Sequence, residues 1–484
     1  MFGREKRLER RLEKLELQLA EALATITELR KENEKLRVQL GKHSQNSSRP
    51  PSSDPPSAPS GRGSGRDKKK RKKKKRRTRG GQAGHQRHER ALVPVGQVDE
   101  VVEVKPAQCG GCGSKLRGSD KTPRRHQVTE VPRMEPTVTE YRLHKLECRC
   151  GVTTCAAVPA GVPSGAFGPR LTALVAVTSS LYRLPKRMIV EFLSDVCGVT
   201  ISLGAISKLE QRTCAALAQP VTEAHKHVKT SRVVYADETG WREAKRKAWM
   251  WMAATAHVAV FLIRPRRAME IAKELLGAAF AGFLVTDRYA SYGFVDPKCR
   301  QVCWAHILRD VEAFRAWGTS GNRLATQLQR AARKLIHYSH RVRDGTLTRR
   351  GFRRKAKPLR LQVLRQLRKG ACWWATPEIS GVCEQILKLK AALFAFVDHE
   401  GIEPTNNHSE RLLRHAVIWR KISFGTDSKN GSRFVERMLT TVMTLRLQKR
   451  NVLDYLARAC DAALNQRSAP SLLPPPVDNQ AIAA

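Results

Sequence analysis

No run of apolar residues in this chain of 484 approaches the ~18 that a membrane span requires, and the N-terminus lacks the short apolar core of a secretion signal. The expectation is a soluble, cytoplasmic protein with no membrane partner. Acid is also scarce: 44 Asp and Glu stand against 89 Lys and Arg, a formal charge of +45. So basic a balance, spread beyond one tail, predicts an anionic polymer as partner, with nucleic acid first. A disulfide framework is missing too. Five of the twelve cysteines lie between Cys109 and Cys155 and the rest are scattered, which suits one metal cluster in a reducing compartment. What is present, 41% hydrophobic residues over this length, suffices for two or three domains with a proper core.

Residues 5–42 carry an unbroken 4-3 repeat, with Leu12, Leu19, Ile26, Asn33 and Leu40 at a and Leu8, Leu15, Ala22, Leu29 and Leu36 at d. Strict 3.5 periodicity predicts a coiled coil, and Asn33 inside the apolar seam favours a parallel homodimer in fixed register, or a higher oligomer. Residues 43–79 follow as a linker. Its Ser/Pro/Gly part has too little apolar content to fold, and it ends in ten consecutive cations: Lys68, Lys69, Lys70, Arg71, Lys72, Lys73, Lys74, Lys75, Arg76 and Arg77. Such a run binds phosphates by counterion release, without sequence preference.

Over 80–160 the chain places Cys109-Gly-Gly-Cys112 ahead of Cys148-Arg-Cys150. Paired thiolates in short turns predict a zinc-ribbon-like, DNA-binding domain with those four sulfurs on a structural Zn²⁺. The second pair is one residue short, so Cys155 or His144 stands as an alternative ligand. Residues 165–228 read as helices, Leu171 to Leu184, Arg187 to Cys197 with a Gly198 stop, and Ser202 to Leu217. They fit either a helix-turn-helix or a plain connector.

The chemistry concentrates further on. Val233 to Ala236 is a short β-rich run that stops at Asp237 and Glu238, and Phe283 to Thr286 is a second run that stops at Asp287. Between them lie two more strand-like runs, Ala248 to Thr255 and Val258 to Ile263, and a helix, Ala268 to Leu276. The order predicts a mixed sheet over 230–297 with both aspartates on neighbouring strands. Residues 298–400 read as a basic helical insertion, too long for a loop. In 401–467 a helix capped by Thr405 or Asn406 runs to about Lys421 and places Glu410 at the edge of its apolar face. Asp237, Asp287 and Glu410 together would satisfy two hard cations, Mg²⁺ or Mn²⁺. The opposing reading pairs each acid with an adjacent arginine, Arg288, Arg411 or Arg414. Residues 468–484, rich in Pro and Ala, read as a disordered tail.

These motifs, in this order, resemble the long acid-triad protein of the insertion sequence 66 family of DDE transposases: Gly80-Gly-Gln-Ala-Gly-His85, the cysteine cluster, Asp237-Glu-Thr239, Thr286-Asp-Arg-Tyr-Ala-Ser-Tyr292, Cys303-Trp-Ala-His306 and Asn406-Asn-His-Ser-Glu-Arg411. The resemblance implies an α/β ribonuclease-H-like core with a large helical insertion, preceded by the coiled coil and the zinc-ribbon-like domain. It implies Asp237, Asp287 and Glu410 as catalytic acids with Glu238 a neighbour, metal-dependent cleavage at transposon ends, and 3′-hydroxyl strand transfer into target DNA. It further implies a nucleoid-associated protein assisted by accessory proteins encoded by the same element. A non-catalytic sequence-specific DNA binder and a stand-alone nuclease or resolvase remain the alternatives. Cys303 and His306, three apart on one helix face, fit either a site or a packed helix end.

Overall fold

The structure is a computed structural model that describes residues 15–29, 32–33, 90–374 and 376–475. The cationic run Lys68 to Arg77 and the Gly80 to His85 motif lie outside the described residues. Residues 15–29 form a helix, and its heptad positions Leu15, Leu19, Ile26 and Leu29 are exposed.

Past residue 90 the first regular pairing is a small antiparallel hairpin, β1 (Lys145–Glu147) with β2 (Thr153–Cys155), exposed throughout. Four helices follow: α1 (Pro169–Ser180), α2 (Lys186–Cys197), α3 (Leu203–Ala216) and α4 (Ala218–Thr230). The predicted Gly198 stop holds for a physical reason. Its φ of 62° is left-handed, and the amides of Gly198 and Val199 return to the carbonyls of Ser194 and Leu193 to close α2. Ser202 caps α3 by accepting from the Ala205 amide at 3.2 Å.

The centre is a five-stranded mixed sheet built from β3 (Val233–Glu243), β4 (Arg246–Ala254), β5 (Ala259–Arg264), β6 (Phe283–Thr286) and β7 (Arg300–Val302), in the spatial order β5-β4-β3-β6-β7. Strands β3, β4 and β5 are an antiparallel meander, and β6 and β7 add in parallel on the other side of β3. Helix α5 (Met269–Leu276) connects β5 to β6.

Three expectations are corrected. β3 does not stop at the paired carboxylates but runs through them to Glu243, because β4 pairs with it along its whole length. The segment read as helical from 298 contributes β7, which carries no strand signal because two of its three residues are polar. The tail read as disordered from 468 is packed up to 475: Leu472 is fully buried, its carbonyl accepts from Gln448 Nε2 at 2.7 Å, and the Tyr455 hydroxyl donates to the Pro470 carbonyl at 2.6 Å.

Beyond β7 come α6 (Trp304–Ala313), α7 (Gly318–Arg343), α8 (Arg349–Ala371), α9 (Pro377–Lys388) and the short α10 (Ala395–Asp398). The chain ends with α11 (Asn407–Ser423), α12 (Lys429–Leu447) and α13 (Val452–Leu464). Strand alternation divides the packing. Val234, Ala236 and Leu284 face a core shared with α4, α5, α12 and α13. Tyr235, Val285 and Val302 face the core of the inserted helices α6 to α10. Asp237 and Asp287 have the parity of Tyr235 and Val285, so they belong to the insertion side of the sheet.

Candidate active site

The register of β3 against β6 pairs Val233 with Phe283, Val234 with Leu284 and Tyr235 with Val285. Two residues further along stand Asp237, within β3, and Asp287, just past the end of β6, at the carboxyl ends of the paired segments, where α/β sheets hold their ligands. Backbone amides hold both carboxylates: Asp237 Oδ1 accepts from Glu238 N–H at 2.9 Å, and Asp287 Oδ1 from Tyr289 N–H at 2.8 Å. Burial pushes the Asp237 carboxyl well above its ordinary pKa, and the charges of Glu238, Asp287 and Glu410 push it further. Burial also raises Asp287, against the Tyr289 amide and the charges of Arg267, Arg300 and Arg288.

Glu238 points the other way. Its side chain is 1% exposed, receives Arg267 Nε at 3.0 Å and the Tyr292 hydroxyl at 2.5 Å, and is therefore braced inside the fold. Arg267 stacks 3.6 Å over the Tyr289 ring. Neither Arg267 nor Tyr292 was singled out from sequence as a partner of this carboxylate. Arg267 follows β4 and β5, and Tyr292 follows α5 and β6 as well, so both reach Glu238 only through the fold.

Glu410 enters in the first turn of α11. Asn406 occupies the N-cap position but does not cap with its side chain. Its Nδ2 donates to the Ala236 carbonyl of β3 at 2.9 Å, its own amide donates to Cys303 Sγ at 3.1 Å, and Trp304 N–H donates to the Pro404 carbonyl at 3.0 Å. His408 Nε2 bonds the Thr255 carbonyl at 2.8 Å. The Asn-Asn-His-Ser-Glu stretch thus docks one helix end onto the strand that carries Asp237.

Arg309 of α6 pairs with Glu410, 3.4 Å from its Oε1, and His306 Nδ1 lies 3.7 Å from the same oxygen. The paired arginine is Arg309, not the adjacent Arg411 or Arg414, and Arg288 pairs with Asp310 rather than Asp287. His306 Nδ1 is buried without a hydrogen-bond partner, and burial with the charges of Arg309 and Arg288 lowers the imidazole to about 3. Cys303 is the N-cap of α6, fully buried, with its thiol raised to about 11 by that burial. Among the described residues the three-ligand set whose donor atoms lie within 4.8 Å of one another is Cys303, His306 and Glu410. Asp237 and Asp287 sit close enough to Glu410 for Asp237 to feel its charge, yet the three acids do not form so tight a set.

In each cysteine pair one thiol is lowered by its neighbours. The Ser114 hydroxyl and amide, then Cys109, lower Cys112 to about 7, and the amide and thiol of Cys150 lower Cys148. The four sulfurs do not gather into one set of the kind just described.

A sequence model described as the transposase IS66 family matches residues 164–433, from just before α1 into α12, with both aspartates, the insertion and Glu410 inside it. The chain belongs to the IS66 transposase family. Membership makes it a DNA-processing protein with DNA as its partner. A second model, of a family of unknown function (DUF6444), matches residues 4–91. An uncharacterized protein, y4qI, of Sinorhizobium fredii is 26% identical over 396 residues, which cover 75% of this chain and 71% of that protein. In keeping with the IS66 assignment, no helix among the described residues is long and apolar enough to cross a membrane.

Proposed function

We propose that this chain is a DDE transposase, which cuts at the ends of its element and joins the freed 3′-hydroxyl to target DNA, with Asp237, Asp287 and Glu410 as its acid triad. The observation that carries the reading is a buried cluster of acids without a close ion pair at either aspartate. Asp237 is buried beside Glu238, Asp287 and Glu410, and among the described residues no cationic side chain lies within 4.0 Å of either aspartate. Carboxylates placed so, in a protein otherwise rich in arginine, fit hard divalent cations. A pair of Mg²⁺ or Mn²⁺ ions supplies activation of the attacking hydroxyl and relief of charge on the leaving oxygen. The protein's part is positional: β3 and β6 fix two acids by register, and Asn406 anchors the helix that brings the third.

In the same reading, Cys109, Cys112, Cys148 and Cys150 hold a structural Zn²⁺, Lys68 to Arg77 contact DNA phosphates, and the exposed heptad positions join two copies so that two ends are held at once. Asp287→Asn is expected to abolish cleavage and strand transfer while leaving affinity for end DNA nearly intact; strand transfer by that variant overturns the assignment. One observation favours a DNA binder without catalysis, the engagement of Glu410 by Arg309. Calorimetry separates the two: Mg²⁺ or Mn²⁺ binding that disappears in Asp237→Asn supports the enzyme, and no binding by the parent chain supports the binder.

A further inference from the structure

Helix α8 is the most basic of the long helices among the described residues. Its 23 residues include ten Arg or Lys and no Asp or Glu. Phe352, Ala356, Leu359, Val363 and Leu367 are buried along one side. Arg350, Arg354, Lys357, Leu361, Arg365 and Arg368 follow one another at steps of three or four on the opposite, exposed side. The five cations of that row make no ion pair among the described residues. Arg360, which sits off the row, takes Asp398, and Asp310, Glu312 and Asp344 elsewhere in the insertion are engaged by Arg288, Arg315 and Arg343. Like charges at i,i+4 weaken a helix, and no ion pair among the described residues offsets that cost along this row.

We propose that this face of α8 is a docking surface for the phosphate backbone of duplex DNA, separate from Lys68 to Arg77. From Arg350 to Arg368 the row extends about 27 Å, most of the ~34 Å of one turn of the duplex. Duplex DNA presents a charge every ~1.7 Å along that length. Arginine dominates the row, and its planar fork suits phosphate oxygens. The surface is also rigidly joined to the acids. The core beneath α8 includes Tyr235 and Val285, each two residues before an aspartate, so DNA lying along α8 is held at a fixed distance from Asp237 and Asp287.

The inference rests on DNA as the partner of the proposed transposase but not on its acids, and the two fail differently: Asp287→Asn leaves the salt dependence of DNA binding alone, whereas α8 variants change it and leave Mg²⁺ titration unaltered. The test uses the full chain and a 30-base-pair mixed-sequence duplex, with affinity followed by fluorescence anisotropy across a salt series. Neutralising Arg354, Lys357 and Arg365 to Gln is expected to reduce the slope of log affinity against log salt by about 2–3, at ~0.9 for each phosphate no longer neutralised by the protein. Neutralising three exposed cations elsewhere, Lys226, Arg446 and Arg458, is expected to leave the slope unchanged. Leu361→Arg, which fills the gap in the row, is expected to steepen it by about one, a gain that misfolding does not produce. An unchanged slope in the α8 variant, an equal loss in the control variant, or no gain from Leu361→Arg overturns the proposal.

Discussion

Asp237 and Glu238 are adjacent carboxylates with opposite fates, and the cause is the two-residue period of a strand. One faces the insertion beside Asp287. The other lies under the sheet, clamped by Arg267 and Tyr292. Glu238→Gln is therefore expected to cost about 1–3 kcal/mol of stability, by leaving Arg267 without its counter-charge, while Mg²⁺ binding persists. Denaturant unfolding beside calorimetry checks both halves, and loss of Mg²⁺ binding with stability intact would make Glu238 a ligand. Arg309 calls for the opposite experiment. Because it competes with any cation for Glu410, Arg309→Gln is expected to tighten Mg²⁺ or Mn²⁺ binding measured without DNA; weaker binding would mean that Arg309 helps to build the site. The acids themselves were legible in the sequence, since each aspartate follows an apolar run. Arg309 was not. A single arginine on a helix carries no local pattern that distinguishes it from the other 88 cationic side chains.

At the scale of elements, the sequence exposes whatever depends on local pattern and hides whatever depends on distant partners. α2 and its Gly198 stop were readable because a helix stop is local chemistry, and the start read at Ser202 falls on the residue that caps α3. β7 was not, because Arg300 and Gln301 are buried polar residues whose partners lie on other elements: Arg300 donates to Thr286 Oγ1 at 3.1 Å, and Gln301 accepts from Phe396 N–H at 3.1 Å. The full length of β3 was hidden for the same reason, since Asp-Glu-Thr-Gly reads as a turn until β4 supplies a partner strand. Asn406 combines both cases. Its position as N-cap of α11 was legible, but its side chain serves β3 instead of the helix. Asn406→Ala leaves the Ala236 carbonyl without that donor and is expected to cost about 1–3 kcal/mol. It should also lower strand-transfer activity beyond what the stability loss explains, because Glu410 rides on the same turn. An activity loss that vanishes once the folded fraction is equalised would reduce Asn406 to a purely structural role.

For the whole molecule, two helical layers share one sheet, and burial lowers the pKa of several half-buried histidines. His225 is the clearest case. Its Nε2 donates to the Leu275 carbonyl at 2.8 Å between α4 and α5, and burial lowers its pKa below 6.5, with Lys229 and Arg264 acting in the same direction and the Leu275 bond and Glu274 opposing. Burial lowers His227 and His415 as well. A group whose folded pKa lies below its unfolded value binds fewer protons when folded, so its contribution is full above about pH 6.5 and is lost as pH falls through that value. Glu436 has the opposite sign: burial raises its pKa, and its contribution is lost as pH rises. Substituting one histidine isolates one sign. His225→Gln keeps an N–H for the Leu275 carbonyl and removes the titration. The stability difference between parent and variant, from denaturant midpoints, should be constant above about pH 7.5 and shift steadily in the variant's favour as pH drops below about 6.5. A difference that does not change with pH would mean that His225 takes up its proton in the folded protein as readily as in the unfolded chain, and that the α4–α5 interface is open to water.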